Sequence, residues 1–92
     1  MPYTVKFTKR ALEDLGCLSE HTALIITSWV RKHLDGCEDP KTRGRKLKSM
    51  PEGHWRYRIG NYRLLAYIQG QTVTLLAVNH GVGEEIANEQ QR

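Results

Sequence analysis

Trp55-Arg56-Tyr57-Arg58-Ile59-Gly60-Asn61-Tyr62-Arg63-Leu64 is the stretch from which the fold can be worked out. Gly60-Asn61 supplies a two-residue hairpin turn. The residues on either side alternate apolar with basic, the period of two that marks a strand with one buried face. Setting Ile59 opposite Tyr62 gives the register: Arg58 opposes Arg63, Tyr57 opposes Leu64, Arg56 opposes Leu65 and Trp55 opposes Ala66. One face then carries Trp55, Tyr57, Ile59, Tyr62, Leu64, Ala66 and Ile68, enough for a core face. Arg56, Arg58 and Arg63 share the other.

Like charges directly opposite one another across strands cost stability unless something negative sits between them. Guanidinium groups make planar bidentate contacts to phosphate and stay charged at any physiological pH. The three arginines therefore point to an anionic ligand, with pairing to Asp or Glu elsewhere in the chain, or exposure to water, as the structural alternative. Their surroundings are basic as well. Lys41, Arg43, Arg45, Lys46, Lys48, Arg56, Arg58 and Arg63 meet a single acid, Glu52, between positions 41 and 63. The net charge of +4 understates this region, because Glu84, Glu85 and Glu89 make the C-terminal end, 82–92, acidic. A phosphate backbone would meet Lys41, Arg43, Arg45, Lys46, Lys48 and His54 as candidate contacts.

Working outward, Gln69-Gly70-Gln71 turns the chain into a further strand, Thr72 to Val78. Upstream, residues 36–54 form a polar, basic stretch punctuated by Pro40, Gly44, Pro51 and Gly53, with Leu47 and Met50 as its apolar anchors, and read as a long loop. At the start, Tyr3 to Phe7 alternates as a strand. Thr8 offers an N-cap, and Ala11, Leu12, Leu15 and Leu18 fall on one face of a short helix. A second helix starts near His21 or Thr22, with Ala23, Ile26, Val30 and Leu34 on one stripe, Ile25 and Trp29 beside it, and Asp35-Gly36 as the stop. Leu24 and Trp29 read as core or partner surface. Two amphipathic helices joined within a few residues form an antiparallel pair that lays its apolar stripes on a sheet. The expected fold is α+β: one domain over 1–92, in the order β-α-α-β-β-β, with the helix pair packed on a largely antiparallel four-stranded sheet. A short C-terminal helix is a further expectation.

Ninety-two residues, 39% hydrophobic and 26% charged, suit one globular core and neither a disordered chain nor a membrane span. No apolar run reaches the roughly 18 to 20 residues a membrane helix needs, and Met1-Pro2-Tyr3-Thr4-Val5-Lys6 lacks the apolar stretch of a signal peptide, so the expected location is cytoplasmic. Cys17 and Cys37 have no CxxC spacing and are read as reduced thiols. No metal-ligand cluster and no GxGxxG or P-loop spacing is present, so neither metal nor cofactor is expected.

The order strand, two helices, basic segment, three strands, together with Leu47-Lys48 and the hairpin Trp55 to Leu64, resembles toxins of the RelE/ParE superfamily over roughly residues 3 to 81. The W-R-x-R-I-G-x-Y-R-L pattern is similar to the RelE branch, whose members cut messenger RNA in the ribosomal A site. What the resemblance implies is a type II toxin of a toxin-antitoxin system, an mRNA interferase that inhibits translation and is neutralised by a cognate antitoxin in a hetero-oligomer. It gives Arg56 and Arg58 the place of paired basic residues that bind the scissile phosphate, and Arg63 that of the phosphate-binding arginine on the next strand. Lys46 and Lys48 would contact ribosomal RNA. Many relatives end in a Gly-His-Arg-Arg-Glu-Val-Tyr type segment, in which an arginine and the final tyrosine assist catalysis. Here Gly83 stands at the arginine position and Ala87 at the tyrosine position.

Cleavage through the RNA's own 2′-hydroxyl needs a group to take that proton and positive charge for the transition state. Arginines supply only the charge. Candidates for the proton work are His80 at the end of the last strand and His54 before the hairpin, with Glu52 and Glu84 behind them. Two other readings stand beside the endonuclease: a ParE-like inhibitor of DNA gyrase, and a catalytically impaired relative that binds antitoxin alone.

Overall fold

A computed structural model describes residues 2–81. Along the chain run β1 (Thr4–Phe7), α1 (Lys9–Gly16), α2 (Glu20–His33), β2 (Gly44–Lys46), β3 (His54–Ile59), β4 (Tyr62–Gln69) and β5 (Thr72–His80). Both helices begin on a hydroxyl cap. The Thr8 side chain accepts from the Ala11 amide at 3.0 Å, and that of Ser19 accepts from Thr22 at 3.1 Å. Because Ser19 takes the capping position, α2 starts at Glu20, ahead of the His21 or Thr22 expected. Glu20 in its first turn and Arg31, Lys32 and His33 in its last complement the helix dipole.

The sheet order is β1-β5-β4-β3-β2. β1 runs parallel to β5, and the other pairs are antiparallel. The hairpin adopts the register derived above at all five positions, from Trp55 opposite Ala66 to Ile59 opposite Tyr62. The sheet has one strand more than expected, since Gly44–Lys46, inside the basic stretch, pairs with β3.

Ala11 and Leu15 of α1, with Ile26 and Val30 of α2 and Leu34 after it, are buried against Tyr57, Ile59, Leu64, Ala66, Val73, Leu75 and Val78. Leu12, expected on the buried stripe, is instead exposed. In so short a helix the Ala11/Leu15 pair takes the sheet, and a residue one step around points away from it. Leu24 and Ile25 are also exposed. Among the described residues no helix is long and apolar enough to cross a membrane. The expected C-terminal helix lies outside the described residues.

β5 carries a bulge. Leu65 of β4 pairs with Ala77, but the next residue, Ala66, pairs with Leu75, so Leu76 is extra. A bulge shifts the alternation by one. Val73 and Leu75 point to the core before it, and Val78 does so after it. The bulge is clamped from the β1–α1 junction, where the Thr8 amide donates to the Leu75 carbonyl at 3.0 Å and the Thr8 hydroxyl to that of Leu76 at 3.1 Å.

Candidate nucleic-acid interface

Cross-strand partners share a sheet face, so the register assigns the face opposite the helices row by row. One row reads Arg45, Arg56, Leu65 and Ala77; the next reads Arg58, Arg63 and Asn79; on the other side stand His54, Tyr67 and Thr74. β2 thus brings Arg45 directly opposite Arg56. Arg43, Arg45, Arg56 and Arg58 line one cavity of about 210 Å3. Four arginines lining one small space suit an anion of more than one charge.

The basic stretch is held in place by a buried tyrosine. Tyr57 is fully buried, and its hydroxyl donates to the Pro40 carbonyl. Burial, followed by the charges of Cys37 and Asp39, raises its pKa well above the ordinary tyrosine value, so the donor keeps its proton. Gly44 lies against the same ring: a Cβ there would stand 2.8 Å from Tyr57 Cε1. Only glycine lets β2 pair this closely, and the pairing fixes Arg43 and Arg45 beside β3. On the far side Gly81 packs on Arg63, where a Cβ would fall 2.9 Å from both Cγ and Nε. His33, at the end of α2, is held below its ordinary pKa, first by desolvation and then by the Arg43 and Lys32 charges.

The remaining expected contacts divide. His54 lies on the arginine face, its ring 5.1 Å from that of Tyr67, with Nδ1 2.9 Å from the Pro51 carbonyl. A carbonyl can only accept, so Nδ1 carries a proton, which in the neutral ring leaves the lone pair on Nε2. His80 does not join the arginines. It pairs with Tyr62 and meets that ring edge-on at 5.0 Å, on the opposite face of the sheet, because the bulge has turned it over. Lys41 Nζ sits 5.7 Å from the Trp55 ring centre, and Lys46 pairs with Trp55 and reaches Glu52 at 3.6 Å, so both stand on the Trp55 side. Lys48 is exposed in the turn between β2 and β3.

Asn79, which sequence reasoning missed, takes the place next to Arg63. Its signal was the unbroken apolar run Leu75-Leu76-Ala77-Val78, which a strand with one buried face cannot alternate without a bulge. Cys17 and Cys37 are both free thiols. Gly83, Glu84 and Ala87 lie outside the described residues.

The family model for the ParE toxin of the type II toxin-antitoxin system parDE matches residues 5–83. Toxin RelG of Mycobacterium tuberculosis is 34% identical over 82 residues, covering 87% of this chain and 92% of that protein. The crystal structure of the toxin-antitoxin complex RelBE2 from Mycobacterium tuberculosis contains a chain 33% identical, at a TM-score of 0.74, covering 87% of this chain and 92% of that one. The isolated E. coli RelE toxin shares the fold at 22% identity and a TM-score of 0.70, over 95% of this chain and 93% of its own.

Proposed function

This chain belongs to the ParE-toxin family of type II toxin-antitoxin systems, within the RelE/ParE superfamily, and from that premise we propose that it is a ribosome-dependent mRNA endonuclease restrained by a cognate antitoxin. The observation that carries the reading is the cavity lined by Arg43, Arg45, Arg56 and Arg58, with Arg63 directly opposite Arg58. Such a group binds the scissile phosphate and stabilises the charge that grows on it when the adjacent 2′-oxygen attacks phosphorus. His54 Nε2 takes the 2′ proton. The bond to the 5′-oxygen breaks, leaving a 2′,3′-cyclic phosphate, and the departing oxygen takes a proton from water.

The antitoxin reading is supported by the solved relative, which is a toxin-antitoxin complex, and by two features of the surface. The arginine face favours an acidic segment, and the exposed Leu12, Leu24 and Ile25 on the helices favour an amphipathic one.

The name of the matching family model favours a second reading, a ParE-like inhibitor that acts on DNA gyrase without cutting nucleic acid. One experiment separates the two. Purified chain is added to translating ribosomes, and separately to gyrase with plasmid. The endonuclease reading expects cut mRNA, lost by about 30- to 1,000-fold in Arg58→Ala and Arg63→Ala, since removing one charge contact made in the transition state costs about 2 to 4 kcal/mol. Intact mRNA with blocked supercoiling would transfer the proposal to gyrase.

A further inference from the structure

Next to the arginine cavity, on the same face, lies a second hollow of about 250 Å3 with a different lining. Leu47, Met50 and Leu65 form its apolar wall, Ser49 and Asn79 supply neutral polar groups, and Arg56 and Arg63 form its border with the cationic region. Arg56 lines both spaces. The first space is lined by arginines alone, and the second combines apolar surface with a few polar groups, the composition of a small-molecule pocket.

The pairing of the two spaces matches the two halves of a nucleotide. A phosphate held on the arginines leaves its base within one ribose of Arg56, and this hollow, which shares Arg56, offers an apolar wall at that distance. Unstacked bases are bound by side chains packed against their faces, an arginine guanidinium plane among them, and by hydrogen bonds to their edges. Leu65 and Met50 offer the first, and Met50 is 39% exposed, leaving apolar surface for a ligand to cover. Its unbranched thioether adapts to the shape it meets. The Asn79 amide offers one acceptor and a donor group, the minimum for a two-point contact with a base edge. Asn79 stands in this position because of the bulge at Leu76; without the extra residue its side chain would lie on the helix side.

We propose that the hollow between Leu65, Met50 and Asn79 is a nucleobase subsite for the RNA residue whose phosphate lies on the arginines. The proposal rests on the RNA reading above, and its test keeps the two apart. The full chain is titrated, by fluorescence anisotropy at low salt, into a labelled single-stranded trinucleotide and into the same ribose-phosphate trimer without bases, with inorganic pyrophosphate as a competitor. The intact RNA should bind about 5- to 10-fold tighter than the abasic one, the gain from covering part of an apolar wall and not from stacking on an aromatic ring. Asn79→Ala should weaken the intact RNA by about 3- to 10-fold and leave the abasic one unchanged. Equal affinity of wild-type chain for both RNAs, with pyrophosphate still competing, overturns the base subsite and leaves the phosphate site standing. The same holds if Asn79→Ala weakens both RNAs alike. Failure of both RNAs and of pyrophosphate to bind overturns the phosphate site and the base subsite together, while mRNA cleavage on ribosomes judges the endonuclease reading separately.

Discussion

The backbone amide of Val78 donates to a carboxylate oxygen of Asp14 at 2.9 Å. This bond ties the last turn of α1 to the strand just past its bulge, at a position where the extra residue disturbs the regular ladder. Asp14 is itself steadied by Arg10 at 3.1 Å, one helical turn earlier. With Thr8 on the carbonyls of Leu75 and Leu76, the β1–α1 segment thus holds the irregularity that decides which β5 side chains face the arginines.

Asp14→Ala should therefore act on the fold and on the site together. A buried donor that loses its acceptor costs about 1 to 3 kcal/mol, and in a domain of this size each kcal/mol lowers the melting temperature by about 4 to 8 °C. Asp14→Asn keeps an acceptor and should retain most of the stability. Thermal unfolding and hydrogen exchange at the Val78 amide measure both effects. A wild-type melting curve with a protected Val78 amide in Asp14→Ala would show that the bulge does not depend on this carboxylate.

Gly44→Ala tests how the basic segment is docked. The new Cβ would meet the buried Tyr57 ring at 2.8 Å, and overpacking of this kind costs about 1 to 3 kcal/mol. Tyr57→Phe leaves the ring and removes only the hydroxyl, stranding the buried Pro40 carbonyl at about 1 to 3 kcal/mol. Both should lower affinity for pyrophosphate by loosening Arg43 and Arg45 against Arg56 and Arg58. Melting curves read the stability, and competition titrations read the site; unaltered pyrophosphate binding in a destabilised Gly44→Ala would detach this anchor from the arginine cavity.

The hairpin was legible because a two-residue turn and strict alternation leave one register that buries Tyr57 and Leu64 together. β2 was not, since Gly44-Arg45-Lys46 has no apolar alternation and becomes a strand only by pairing with β3 and resting on Tyr57. Alternation alone puts three arginines on one face, but without that pairing Arg43 and Arg45 belong to a loop. The side on which His80 falls was hidden for a related reason: one extra residue at Leu76 reverses everything beyond it, and the clamp that stabilises it comes from Thr8 and Asp14, far away in the chain.

Arg45→Gln offers a test of charge without a threat to the core. Arg45 is exposed and stands directly opposite Arg56, so its neutralisation relieves a like-charge pair and should leave the melting temperature unchanged or slightly raised. Binding of single-stranded RNA should weaken, and the slope of log affinity against log salt should become shallower by about 0.7, the contribution of one phosphate contact to a single strand. An unchanged slope would remove Arg45 from the interface.

The last expectation concerns which histidine handles the proton. From sequence, His80 at the end of the last strand ranks first among the candidates, ahead of His54. The bulge carries it to the Tyr62 side of the sheet, whereas His54 shares the face of Arg56 and Arg58 and has its Nε2 lone pair free by virtue of the Nδ1 bond to Pro51. A positioned general base contributes about 100- to 10,000-fold, so His54→Gln should lower the rate of mRNA cleavage by at least about 100-fold while ribosome binding holds within a few fold. His80→Gln should leave the rate near the wild-type value. Single-turnover cleavage on programmed ribosomes makes the comparison directly, since binding is saturated and the chemical step is read alone. Loss of cleavage in His80→Gln with His54→Gln still active would reverse the assignment, and would require the strand end beyond Asn79 to turn toward the arginines when RNA is bound.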